Sequence, residues 1–153
     1  MVAWAMDDHR AATIGGKHIW PLRVYYEDTV AAGVVYYANY LKFADRARTE
    51  VLFAAGIDQM RLRDEDDVVF AVRACNADYL RPARLGDMVT VETVVEKIGG
   101  ASIVLRQSVV KDGVNLVVMQ ITLVCMHGDG RATRIPQEVR AVLHSMAETT
   151  KED

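Results

Sequence analysis

Four carboxylates, Glu27, Asp28, Asp45 and Glu50, fall in one stretch of the chain that also holds Gly33 and the run Val34-Val35-Tyr36-Tyr37-Ala38-Asn39. A carboxylate can attack a carbonyl carbon or take a proton from water. A loop that runs into a helix adds free backbone N–H groups, which hold an oxygen as negative charge develops on it. The positive end of the helix macrodipole lies at the same place, so a carbonyl can be polarised there without a cationic side chain. Gly33 lets a ligand approach the backbone closely, or serves simply as a turn residue.

Other chemistries find less support. His9, His18, His127 and His144 are scattered outside this stretch and read as surface or packing residues. Ser102 and Ser108 lie in strand patterns with no His or Asp grouped beside them, which argues against a triad. Cys75 and Cys125 each sit in an apolar run with no second Cys or His at metal-ligand spacing. Both read as buried thiols, and no metal centre is expected.

The elements that must position these residues follow from periodicity. Tyr40, Ala44, Ala47, Val51 and Ala54 recur at steps of three and four, which predicts a helix from about Tyr37 to Ala55, stopped by Gly56. Its inner stripe is rich in alanine, so a neighbour can approach its backbone closely. Upstream, the β-formers of residues 18–26, interrupted only by Pro21, predict a first strand, the proline suiting a strand start or edge. Residues 1–17 end in Gly15-Gly16, show no sustained period and are expected to form a loosely held extension. After the helix, residues 57–67 read as a polar segment with a solvated acidic loop at Asp64-Glu65-Asp66-Asp67.

Strands are expected at 68–79, 88–97, 101–111 and 114–126, with Asp112-Gly113 a hairpin signal between the last two. A short surface helix is expected at 136–146, opened by Pro136. A strand of eleven residues spans about 36 Å and a helix of twenty about 30 Å. One long helix can therefore lie along a sheet of long antiparallel strands that curls round it. The fold class is α+β, with a single domain over 18–147 and a tail over 148–153. The long apolar edges of such a sheet need covering, so a homo-oligomer is expected.

Composition bounds the function. The chain has 153 residues, 51% hydrophobic and 25% charged, with 18 Lys+Arg against 21 Asp+Glu. That suits one ordered domain rather than a disordered chain, and with no basic cluster it argues against a general nucleic-acid binder. The residues Met1 to Arg10 already contain Asp7, Asp8 and Arg10, unlike a signal peptide, and no uncharged run is long enough to span a bilayer. The expected compartment is the cytoplasm.

The segment Arg23 to Glu50, centred on Glu27-Asp28-Thr29-Val30-Ala31-Ala32-Gly33-Val34-Val35-Tyr36-Tyr37, resembles the motif of the hotdog-fold acyl-CoA thioesterases. Within them it is most similar to the YbgC/4-hydroxybenzoyl-CoA thioesterase family, whose bacterial members are associated with the Tol-Pal envelope system. The block Asp78-Tyr79-Leu80-Arg81-Pro82-Ala83-Arg84-Leu85-Gly86-Asp87 resembles a second part of the same pattern. The resemblance implies a hotdog fold, a central helix wrapped by a five- or six-stranded antiparallel sheet, working as a dimer or a tetramer of dimers. It implies hydrolysis of an acyl-CoA thioester at a site between copies, with no metal or organic cofactor, and with acyl carrier protein as a further candidate partner. It assigns the oxygen-holding donor to the backbone N–H of Tyr37, and substrate contacts to Gly33, Val34, Val35, Tyr36 and Asn39.

One position departs from that pattern. The family places its catalytic aspartate two residues after the position of Asp28, and this chain has Val30 there. An isopropyl group can neither attack a carbonyl nor accept a proton. Three explanations stand: a substitution in an otherwise intact enzyme, a domain that binds acyl-CoA or acyl carrier protein without hydrolysis, or another carboxylate in the role. Asp45 is the leading substitute, with an ion pair to Arg48 or Arg46 as its alternative reading. Asp28 is weaker, its alternative being to bond loop N–H groups. Glu50 reads as a partner of Arg46, and Glu27 points away from Asp28. A hotdog dehydratase would need a catalytic His near the helix start, where this chain has none.

Overall fold

Alternating β-branched residues give the chain its long strands, and a stripe of small residues lets one helix nest among them. The computed structural model describes residues 11–152, so the first ten residues of the expected extension lie outside the described residues. In chain order the elements are β1 (Ala12–Ile14), β2 (Lys17–Arg23), α1 (Asn39–Ala54), α2 (Gln59–Asp66), β3 (Val69–Tyr79), β4 (Met88–Ile98), β5 (Ser102–Lys111), β6 (Val114–Met126) and α3 (Gln137–Glu152). A short 3-10 turn, Tyr26–Asp28, follows β2.

The six strands form one antiparallel sheet in the order β1-β2-β4-β5-β6-β3. Asp112 and Gly113 both adopt positive φ, 50° and 76°, which closes the tight β5–β6 hairpin with the backbone twist its strands require. Register shifts in β3, β4 and the β5–β6 pair bend the sheet toward its inner face.

α1 lies along that inner face. Its buried stripe is Tyr40, Phe43, Ala44, Ala47 and Val51, and it packs against inward residues such as Val89, Val91, Val109 and Met119. Ala44 and Ala47 are fully buried, because only a methyl group fits where helix and sheet backbones come this close. This is the hotdog architecture that the sequence resemblance implies, with a six-stranded sheet.

In β3 the pairing passes from Val72↔Leu123 to Ala74↔Thr122, leaving Arg73 as an extra residue. A one-residue insertion reverses the alternation of side chains. Phe70 and Val72 on one side of the bulge therefore share a face with Cys75, Ala77 and Tyr79 on the other. Their partners are Cys125, Leu123, Ile121, Met119 and Val117, all buried, so that face looks inward. β3 is nevertheless the sheet edge beyond α1, and Val72, Cys75 and Tyr79 are exposed.

Several expectations need correction. Cys75 is exposed because it lies on this edge strand, whereas Cys125 is buried as expected. The acidic stretch is α2, not a loop. Asp58 caps it by accepting the N–H groups of Met60 and Arg61 at 2.9 and 3.3 Å, Leu62 is buried beneath it, and Asp67 ends it at positive φ. The last helix is longer than expected and is not only a surface element: it runs on to Glu152, through part of the expected tail, and buries Val139, Leu143 and Met146. Ala12–Ile14 extends the sheet by pairing with Lys17–Ile19, so this part of the expected loose extension is strand.

Candidate functional site

The loop before α1 is assembled by its own main chain around one carboxylate. Asp28 is 8% exposed, and its Oδ2 accepts the Tyr25 N–H at 2.8 Å. Its carbonyl accepts the Tyr36 N–H at 3.0 Å and the Asn39 Nδ2 at 2.9 Å. Asp28 and Asn39 thus lock the loop onto the start of α1. Thr29 bridges Val35, and Val34 bridges Arg84.

A second clamp comes from the segment between β3 and β4. Ala83 accepts the Val35 N–H at 2.9 Å through its carbonyl and donates its own N–H to the Tyr40 hydroxyl at 2.9 Å. Burial raises the Tyr40 pKa, with the Ala83 N–H working against the shift, so the phenol is neutral at physiological pH. Val35 is buried and belongs to the core rather than to a ligand surface.

What this scaffold presents outward is the turn into α1. Among the described residues the Tyr37 N–H has no acceptor, and it lies beside the helix N-terminus, where an oxygen gaining charge is stabilised. Tyr36 and Tyr37 are exposed, with ring centroids 4.9 Å apart. Tyr37 also meets Tyr79 of β3 edge to face at 5.9 Å. Gly33, at φ +79°, closes the turn that starts at Val30, its N–H donating to the Val30 carbonyl at 2.8 Å. The Val30 N–H donates to Val34 at 3.0 Å, and its side chain is 43% exposed.

Asp45 stands elsewhere. It is eight residues along α1 from Tyr37, about 12 Å at the helical rise. Its side chain is 72% exposed and its Oδ1 accepts from Arg48 Nη2 at 3.2 Å. Arg48 itself is 15% exposed and donates through Nη1 to Gln107 Oε1 at 2.9 Å. Gln107 donates in turn to the Ala44 carbonyl and to Thr93 Oγ1, both at 3.0 Å. Burial lowers the Arg48 pKa and the Asp45 carboxylate opposes it, while burial raises the Cys75 thiol against the nearby Arg48 charge. The row Arg48–Gln107–Thr93 was not foreseen from sequence, although two buried-face polar residues at matched strand positions were the available signal.

Beyond Asp45 and Arg48 a cavity of about 140 Å³ opens between α1, β3 and α3, with Leu52, Phe70, Leu105 and Leu143 in its wall. Gly33, Val30, Tyr36 and Tyr37 therefore come together at one end of α1, and Asp28 and Asn39 support them from behind. Asp45 belongs with the cavity. No group of His, Cys, Asp and Glu suited to a metal ion occurs among the described residues.

Comparison with known proteins gives the family and the fold. The family model described as "Thioesterase superfamily" matches residues 32–118. The "Acyl-CoA thioesterase YbgC" of Haemophilus influenzae is 38% identical over 83% of this chain and 94% of its own length. The "Acyl-CoA thioester hydrolase YbgC" of Escherichia coli O6:H1 is 43% identical over 70% of this chain and 80% of its own. Among solved structures, a probable thioesterase from Bartonella henselae superposes with a TM-score of 0.75 at 29% identity, over 78% of this chain and 99% of that one. Matched by that model over more than half its length and by those relatives over most of it, this chain belongs to the thioesterase superfamily and is a homologue of the YbgC acyl-CoA thioesterases.

Proposed function

We propose that this chain is built to hydrolyse acyl-CoA thioesters at the turn into α1, and that Val30 withholds the carboxylate that would complete the site. The observation that carries the reading is the unclaimed Tyr37 N–H at the helix start, held by the Asp28 and Tyr40 clamps. The thioester oxygen sits on that N–H, where the macrodipole supports its developing charge. With aspartate in place of Val30, water would add to the carbonyl carbon as that carboxylate takes its proton, or the carboxylate would attack in its place, and the C–S bond would break with the proton passing to the leaving CoA thiolate. The products are a carboxylic acid and free CoA. A second copy of the chain, joined along the exposed β3 edge, walls the site on its open side. The cytoplasm and the Tol-Pal setting of the resembling family belong to the same reading.

The competing reading, a protein that holds acyl-CoA or acyl carrier protein without turnover, is favoured by Val30 itself. CoA release from a panel of acyl-CoAs by the natural chain and by Val30→Asp separates them. Gain of a general base is worth about 10² to 10⁴ in rate, and an increase of that size is the expected result. Equal, appreciable rates that vanish with Asp45→Asn assign the base to Asp45. No release from either protein overturns the hydrolase reading and leaves binding.

A further inference from the structure

The cavity beyond Arg48 is not an isolated void, because the face of β3 and one stripe of α1 run from the candidate site to it. Ala38, Leu41, Asp45, Arg48 and Leu52 recur at steps of three and four, so they form one stripe along α1. Its far members, Asp45, Arg48 and Leu52, line the cavity together with Phe70 and Val72 of β3. At the near end Tyr37 and Tyr40 touch Tyr79, at the opposite end of the same strand. Midway, Cys75 lies within electrostatic reach of Arg48. The bulge at Arg73 is what keeps Phe70 and Val72 on the same face as Cys75 and Tyr79. Without it the apolar wall would change sides halfway along. α1 and β3 are thus the two walls of one lengthwise groove, with the open Tyr37 N–H at its head and the cavity, roofed by Leu143 and Met146 of α3, at its foot.

We infer that this groove is a subsite for the tail of an unbranched aliphatic acyl chain, whose end lies in the cavity beneath α3. The inference rests on the thioester reading above and adds the length of the substrate. Tyr37 and Asp45 are about 12 Å apart along α1, and Tyr37 and Leu52 about 22 Å. An extended alkyl chain advances about 1.25 Å per carbon, from a bond of about 1.5 Å and an angle of about 111°. A carbonyl held at Tyr37 therefore needs about ten carbons to reach the mouth of the cavity and about eighteen to reach the level of Leu52. Shorter chains leave the cavity empty. The wall is chiefly aliphatic and aromatic, with Asp45, Arg48, Thr49, Gln59 and Thr93 as its polar members, and Arg48 is held by Gln107 and Asp45 rather than offered to a ligand. Those features fit a hydrocarbon tail and not a polar one.

The test is a ladder of non-hydrolysable S-alkyl-CoA thioethers, from butyl to hexadecyl, titrated into the natural chain by calorimetry below their micelle concentrations. Each methylene that leaves water strengthens binding by about three- to fourfold. The expected result is affinity that climbs beyond ten carbons, so that dodecyl-CoA binds at least about tenfold more tightly than octyl-CoA. In Thr49→Trp and Leu52→Trp, which place an indole in the cavity mouth, the ratio of dodecyl to butyl affinity is expected to fall at least about tenfold. Affinity that stops rising at four to six carbons overturns the inference. So does a natural ratio retained in either variant with an unchanged melting curve. The wild-type ladder requires no variant to fold. The hydrolase reading fails separately, when neither the natural chain nor Val30→Asp releases CoA, and that result leaves the ladder interpretable.

Discussion

The hydroxyl of Tyr40, on the first turn of α1, accepts the backbone N–H of Ala83 at 2.9 Å in the protein interior. Ala83 is fully buried and its carbonyl holds Val35, so this contact ties the helix start to the loop that precedes it through a third segment. Tyr40→Phe keeps the ring and leaves the Ala83 N–H without a partner. A loss of about 1–3 kcal/mol is expected from urea unfolding, the cost of a buried donor left unsatisfied.

Asp28 and Val30 are two residues apart and carry opposite structural weight. Asp28→Ala removes a charge-assisted bond to the Tyr25 N–H, and a loss of about 1.5–3 kcal/mol is expected. Val30→Ala touches an exposed side chain and is expected to fall within about 0.5 kcal/mol of the natural protein. Chemical denaturation of the two variants side by side measures the contrast.

Gln107 is the hub of the bonds between sheet and helix. Gln107→Leu takes one acceptor from a nearly buried Arg48, which keeps its ion pair with Asp45, and frees the Ala44 carbonyl and the Thr93 hydroxyl. The expected loss is about 2–4 kcal/mol, because three polar groups lose a partner away from water at once. A double-mutant cycle with Arg48→Met should be clearly non-additive, the second change costing far less once the first is made.

His18 makes stability depend on pH. It is buried on β2 with no hydrogen bond to either ring nitrogen, and burial lowers its pKa below the ordinary 6.5, opposed by Glu50. Above pH 6.5 the residue is neutral in both the folded and unfolded states, so it exerts no pull. As pH falls below that value the unfolded chain takes up a proton that the folded chain resists, and stability drops until the folded pKa is passed. Melting temperature should therefore decline from pH 7 to 5, and less steeply in His18→Phe.

Much of this fold is written in short-range pattern. β6 spans the expected residues, Val114 to Met126, after the Asp112-Gly113 hairpin signal, and α1 falls within two residues of its predicted start. Partners distant in sequence are where pattern fails. Gln107 meets Arg48 across 59 positions, and nothing local to either residue announces the other. Cys75 looks like any apolar-run cysteine until the strand order puts β3 at the edge. α2 is almost wholly polar, and it forms because Asp58 caps it and Leu62 finds a buried seat. The loop at Gly33 and Tyr37 was legible as the place where chemistry could occur. That Asp28 and Asn39 serve as its supports, and that Asp45 faces a different cavity, depends on three-dimensional closure.

The turn at Val30 is held by its N–H and carbonyl alone, with the isopropyl group directed to no bond. Heredity follows from that. A valine codon ending in a pyrimidine becomes an aspartate codon by one base change, and a fold indifferent to the exchange gives selection on stability nothing to act on. On the function proposed above, alleles with valine and with aspartate at position 30 would be equally stable proteins, told apart only by turnover.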